Sequence, residues 1–92
     1  MSWYVYVARC TDGSLYCGIA RDVAARIAEH DAGKGAKYTR GRGPFELVAK
    51  RHCRDKSFAL RLEHAVKKLG RAEKLQLDAK RFARLARYTR RA

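Results

Sequence analysis

Trp3-Tyr4-Val5-Tyr6-Val7-Ala8-Arg9-Cys10-Thr11-Asp12-Gly13-Ser14-Leu15-Tyr16-Cys17-Gly18-Ile19 is the stretch on which the fold turns. Two runs rich in aromatic and β-branched residues flank a Thr-Asp-Gly turn signal, the pattern of a β-hairpin. The turn type sets the register, and a slip of one residue sends every side chain to the other face. A two-residue Asp-Gly turn pairs Tyr6 with Ile19 and Tyr16 with Arg9, and each strand's apolar set then straddles both faces. A three-residue loop with Gly13 in the left-handed conformation pairs Cys10 with Ser14, Ala8 with Tyr16 and Tyr6 with Gly18. This second register is preferred, because it collects Val5, Val7, Leu15, Cys17 and Ile19 on one buried face and gathers Tyr4, Tyr6 and Tyr16 on the other. Gly18 is then expected to leave open space beside the Tyr6 ring, where a ligand backbone can approach closely.

Beyond the hairpin, Asp22 is a helix N-cap, and the helix is expected over 23–32 with Gly33 ending it. Val23 and Ile27 form its apolar ridge. Arg26 and His30, spaced i, i+4, share a face beside that ridge and are expected to point over the tyrosine side of the sheet. Spacing alone also allows a solvated Arg26 and a His30 that faces the helix dipole. The run from Gly33 to Pro44 alternates glycines with cations around one tyrosine, a composition suited to a phosphate-binding loop. Lys34, Lys37, Arg40 and Arg42 supply charge and Tyr38 a stacking or hydrogen-bonding surface; composition alone does not separate this from a plain flexible loop. A third strand is expected from Phe45 to Cys53. Asp55 or Ser57 then caps a helix over 57–69, with Phe58, Leu62, Ala65 and Leu69 as its core stripe and Gly70 as its end. Glu63 lies one position off that stripe, where it is also an ordinary i, i+4 partner for Lys67. The remainder, Arg71 to Ala92, reads as helical with a frayed last turn, docking Leu75, Phe82 and Leu85 while its many cations stay solvated.

The 92 residues suffice for one compact domain with a modest core. Residues 1–78 are expected to form it, and 79–92 to be a basic helical extension of the same domain. The fold class expected is α+β, a small three-stranded antiparallel sheet flanked by helices. Lys and Arg number 22 against 9 Asp and Glu, a formal charge of +13, which implies a polyanionic partner. Nucleic acid fits better than a membrane surface, because the cations are interleaved with Gly and aromatics rather than opposed to a broad apolar face. No apolar run approaches the ~20 residues needed to span a bilayer. The three cysteines, Cys10, Cys17 and Cys53, have no Cys-x-x-Cys spacing. They point to core thiols in a reducing cytoplasm rather than to a disulfide framework or a zinc site.

Tyr4-Val5-Tyr6, then Tyr16-Cys17-Gly18, then Arg26, His30 and Glu63 resemble the GIY-YIG nuclease superfamily. The runs Asp12 to Tyr16 and Gly33 to Arg40 are similar to those of its small single-domain bacterial members. The resemblance extends from about Trp3 to Leu77, although Tyr4 stands where the family name has Gly and Cys17 where Ile is usual. It implies a divalent-metal-dependent endonuclease that hydrolyses phosphodiester bonds, with DNA as the substrate and repair or DNA processing as the setting. By position, Tyr6, Tyr16, Arg26, His30 and Glu63 are the implied catalytic residues. Glu63 becomes the sole protein ligand of a Mg²⁺ or Mn²⁺, and Arg26 the group that binds the scissile phosphate. Tyr6 is the implied general base, with metal-bound water or His30 as competitors for that role, and Tyr16 orients water or phosphate. A phenol of ordinary pKa near 10 needs cationic neighbours to act near neutrality, and Arg26 and the ion are expected to provide them. The alternative is a nucleic-acid-binding domain of the same fold with weak or no catalysis.

Overall fold

The computed structural model describes residues 2–34 and 43–91, and of residues 79, 90 and 91 the main chain only. Strands β1 (Trp3–Arg9), β2 (Leu15–Ala20) and β3 (Glu46–Cys53) form one antiparallel sheet in the order β2-β1-β3. Helix α1 (Val23–Asp31) covers one face, while α2 (Lys56–Lys67) and α4 (Ala79–Arg91) cover the other. The short α3 (Arg71–Leu75) connects the last two.

The hairpin has the three-residue loop. Tyr6 lies opposite Gly18 and Ala8 opposite Tyr16; the Cys10 N–H donates to the Ser14 carbonyl at 2.8 Å, and Gly13 takes φ 85°. A side chain at Gly13 would be strained in that conformation, and Asp12 fixes the loop further by accepting from the Ser14 N–H and hydroxyl. In this register Val5, Val7 and Cys17 pack with Ala59, Leu62 and Val66 of α2 and Phe82 and Ala86 of α4. Tyr6, Ala8 and Ala20 pack with Val23 of α1 on the reverse face. β3 joins the other side of β1 with one irregularity: Val7 faces Ala49 but Ala8 faces Leu47, so Val48 is an extra residue. Such a bulge lets consecutive residues serve one face, and Val48 and Ala49 both pack against the α2 side.

Several boundaries and contacts differ from the sequence reading. α1 stops at Asp31, and β3 starts at Glu46. α2 is capped by Asp55, whose carboxylate accepts from the Phe58 N–H at 2.8 Å. The buried stripe of α2 is Ala59, Leu62 and Val66, with Phe58 and Leu69 at its margins, because the small Ala59 lets the helix approach the sheet closely. Gly70 does not end α2; with φ −68° it stands at the N-terminus of α3, where its N–H donates to Glu73 at 3.4 Å. The last segment is broken rather than continuous. Asp78 caps α4 by accepting from the Arg81 N–H, and the break swings Leu77 into the core while Leu75 stays exposed.

Phe82 is fully buried among these side chains. Phe82→Ala is expected to destabilise the fold by about 3–5 kcal/mol, through lost transfer energy and the cavity left behind. Chemical denaturation should show it as a lower midpoint with an unchanged slope.

Candidate active site

The face of the sheet covered by α1 brings three rings and a guanidinium together. Asp22 starts α1 by accepting from the Ala25 N–H, and this fixes the phase of the helix. Val23 then anchors beneath the sheet side chains, and His30, two turns on, reaches back over β1. The Tyr6 hydroxyl and His30 Nε2 are 2.9 Å apart and buried. The Tyr16 ring meets His30 edge-on at 5.1 Å and lies 6.2 Å from Tyr6. Arg26, half-buried one turn before His30, holds Glu29 at 2.8 Å.

Gly18 has a different role from the one expected. A Cβ there would stand 2.8 Å from the Tyr6 hydroxyl and 3.1 Å from the Tyr16 ring. The space is therefore filled by the two tyrosines themselves, and the glycine lets the Tyr6 phenol lie across β2 to reach His30.

Burial governs the electrostatics. It pushes the Tyr6 phenol well above its ordinary value, with Tyr16 adding to the effect, and Arg26 offsets this only in part. Arg26 acts in the expected direction but does not by itself offset the burial: desolvation of a buried phenolate outweighs a cation that is itself partly in water. His30 moves the other way. Only 2% exposed, it is held below its ordinary value first by burial and then by the Arg26 charge. Near neutrality an uncharged phenol therefore faces an uncharged imidazole, and the phenol donates to Nε2 when the ring proton is on Nδ1.

The lowered His30 value has a thermodynamic signature. The unfolded imidazole, with its pKa near 6.5, takes up a proton before the folded one does, so the unfolded state binds more protons in that interval. Stability present above about pH 6.5 is expected to be lost as pH falls through the depressed folded value. His30→Gln should flatten this part of the stability profile, measured by urea unfolding at a series of pH values.

Other neighbours escaped the sequence reading. Phe45 packs on His30 at 5.7 Å and is tied to α1 by its N–H donating to the Asp31 carboxylate at 2.8 Å. Lys50 lies opposite Tyr6 in the register and 5.4 Å over the Tyr4 ring. Period-two alternation from β1 would have found Lys50 once β3 was known to pair with it; Glu29 was available as an i, i+3 partner of Arg26.

Glu63 stands apart from this cluster. It projects from α2 on the opposite face of the sheet, its side chain 18% exposed, with Lys67 Nζ at 3.8 Å. Its charge bears on the buried thiol of Cys17, which burial first and Glu63 second push up to about 12. Side chains alternate along a strand, so Tyr16 and Cys17, adjacent on the edge strand β2, turn toward the tyrosine cluster and toward Glu63 respectively. Lys34 is exposed just beyond α1. Lys37, Tyr38, Arg40 and Arg42 lie outside the described residues. Among the described residues no group of three or more His, Cys, Asp or Glu side chains can hold a metal ion, and none of the helices is long and apolar enough to cross a membrane.

The same pattern recurs in known proteins. The chain is 54% identical over 76 residues to the UPF0213 protein NP_0776A of Natronomonas pharaonis, covering 83% of this chain and 89% of that one. The solution NMR structure of the UPF0213 protein BH0048 from Bacillus halodurans is similar over 90% of this chain and 94% of its own, with 46% identity and a TM-score of 0.51. That of the protein EF2693 from E. faecalis matches 83% of this chain and 81% of its own, at 40% identity and a TM-score of 0.57. A sequence model of the GIY-YIG catalytic domain spans residues 2–76, from the first strand through α3, so that both tyrosines, Arg26, His30 and Glu63 fall inside the match. With hairpin, helix and match in agreement, the chain belongs to the GIY-YIG catalytic domain family.

Proposed function

We propose that this chain is a divalent-metal-dependent endonuclease that hydrolyses DNA phosphodiester bonds across the edge strand β2. The observation that supports it most is the buried Tyr6–His30 hydrogen bond beneath Tyr16 and Arg26. A phenol held to a neutral imidazole has no obvious merit as core packing, since two apolar rings would fill the space without a polar pair to satisfy. It does form a proton path. Tyr6 is buried in the free protein while Tyr16 reaches the surface, so the attacking water would enter beside Tyr16. The Tyr6 oxygen then takes a proton from it as its own passes to Nε2, so no free phenolate is required and the raised pKa of Tyr6 is no obstacle. Tyr16 orients the water or the phosphate. Arg26 has five guanidinium N–H donors, more than its contacts with Glu29 and Tyr6 use, and the others bind the scissile phosphate and offset the charge that grows in the transition state.

The donor set fits a Mg²⁺ or Mn²⁺ of the open kind. Such ions retain waters and take one or two carboxylates together with phosphate oxygens, rather than a closed protein cage. Glu63 is a single partly buried carboxylate whose existing partner is loose at 3.8 Å, and it would hold the ion. A bound ion would supply Lewis-acid polarisation of the phosphate and a more acidic water. Lys34, Lys37, Tyr38, Arg40 and Arg42 would engage the flanking backbone, in a cytoplasmic protein serving DNA repair or processing.

Labelled single-stranded, duplex and branched DNA, with RNA in parallel, should be cut by purified protein in Mg²⁺ or Mn²⁺ and left intact in EDTA. Binding to the whole panel with no metal-dependent product would instead establish a nucleic-acid-binding domain of this fold without catalysis.

A further inference from the structure

On the α2 side of the sheet, at the far edge from β2, lies a cavity of about 380 Å³. Its lining includes Arg51, Arg54, Asp55, Phe58, Arg61 and Ala86. Arg51 sits opposite Val5 in the β1–β3 pairing, so its side chain turns toward the α2 layer, away from Tyr6. Its Nε is buried and, among the described residues, has no hydrogen-bond partner. A buried guanidinium N–H left unpaired is costly, and it is most economically explained by an acceptor that arrives from outside. The Arg61 guanidinium stacks on the Phe58 ring at 5.8 Å, which holds its charge at the cavity rim. Three guanidiniums less the Asp55 carboxylate leave two positive charges, and one oxygen of Asp55 is already committed to the Phe58 N–H.

We propose that this cavity is a second nucleic-acid site that receives the terminal phosphate monoester of a strand, distinct from the face that carries the tyrosines. A monoester carries a charge of about −1.5 to −2 near neutrality, against −1 for an internal diester, so a site with two net positive charges favours a strand end over the chain interior. The volume is of the order that holds a small ligand, with room for the terminal sugar beside the phosphate. Phe58 offers an apolar wall to that sugar or its base, and the second Asp55 oxygen accepts from a sugar hydroxyl or a base amino group.

The test is binding, in EDTA, of a short single strand with a terminal phosphate and of its dephosphorylated twin, by fluorescence anisotropy at one salt concentration. Wild type should bind the phosphorylated strand roughly tenfold more tightly, as charge-assisted hydrogen bonds to the extra charge would give. Arg51→Met, which removes the orphaned Nε, should erase the preference. Arg54→Ala, just before the N-cap of α2, and Arg61→Ala, on its exposed face, are surface changes where folding is not at stake, and each should reduce it severalfold. A free nucleoside monophosphate should compete against wild type and not against Arg51→Met, which would identify the phosphate monoester itself as the recognised group. Equal affinity of wild type for the two strands, or a preference that survives in all three variants, overturns the proposal. Glu63→Gln should keep the preference whether or not the protein cleaves DNA, so failure here and failure of the nuclease reading are separable.

Discussion

Glu63→Gln is expected to lower cleavage by about 10³-fold or more while leaving DNA binding in EDTA unchanged or tighter. Loss of Lewis-acid stabilisation costs several kcal/mol, and an amide of the same shape is a far poorer ligand than a carboxylate. The same change removes a negative charge from a strongly basic protein that binds a polyanion, so affinity does not fall with rate. Unfolding is not a competing explanation. The Glu63–Lys67 pair is loose and solvent-exposed on the lysine side, and such pairs contribute about 0–1 kcal/mol. The Cys17 thiol gives an independent readout: without the Glu63 carboxylate its pKa should fall from about 12, burial still holding it above an ordinary thiol. Single-turnover cleavage, anisotropy and thiol titration on the same preparation measure the three effects.

Tyr6→Phe is expected to lose about 10²–10⁴-fold in rate with little change in affinity, because it deletes one hydroxyl from the proton path and leaves the ring in place. The phenylalanine ring still fills the space over Gly18. His30 Nε2 loses its partner, which should cost about 1–3 kcal/mol of stability. A rate loss far larger than the loss of folded protein, measured well below the unfolding transition, separates chemistry from stability. Arg26→Ala should instead weaken both rate and binding, because in the proposed mechanism the guanidinium would contact the phosphate in ground and transition states alike.

The hairpin was legible because two local signals agree, a turn that places a glycine in the left-handed conformation and a register that separates apolar side chains from tyrosines, whereas the role of Gly18 in letting Tyr6 cross the neighbouring strand was not. α1 was legible through Asp22 and through the i, i+4 spacing that carries Arg26 and His30 to the tyrosine face. The α2 stripe was read correctly at Leu62, with Phe58 and Leu69 packing at its margin, but the read stripe omitted the fully buried Ala59 and Val66, the former because alanine carries little hydrophobic weight in a pattern. Gly70 was read as a helix end from its residue type, but its φ is one that any residue adopts. The break before α4 has no Pro or Gly to announce it, and Asp78 was the available signal.

The chemistry of the site was less legible than its membership. The sequence brings tyrosine, arginine and histidine to one face, but it does not disclose that Tyr6 is buried in the free protein. Burial depends on α1, Tyr16 and Phe45 closing over the ring, a tertiary effect with no local pattern. The direction of the Tyr6 shift follows from that closure, and it moves the expected proton acceptor from a free phenolate to the phenol–imidazole pair. Arg51 likewise looked like one more cation in a basic chain until the β1–β3 register turned it inward.

The central claim is that Glu63, from beneath β2, completes the site whose tyrosines lie above that strand. Paramagnetic broadening of backbone amides by substoichiometric Mn²⁺ tests it most directly. The expected result is selective broadening at Glu63 and at Tyr16, Cys17 and Gly18, abolished in Glu63→Gln. Broadening centred on other residues, or persisting unchanged in Glu63→Gln, would contradict it.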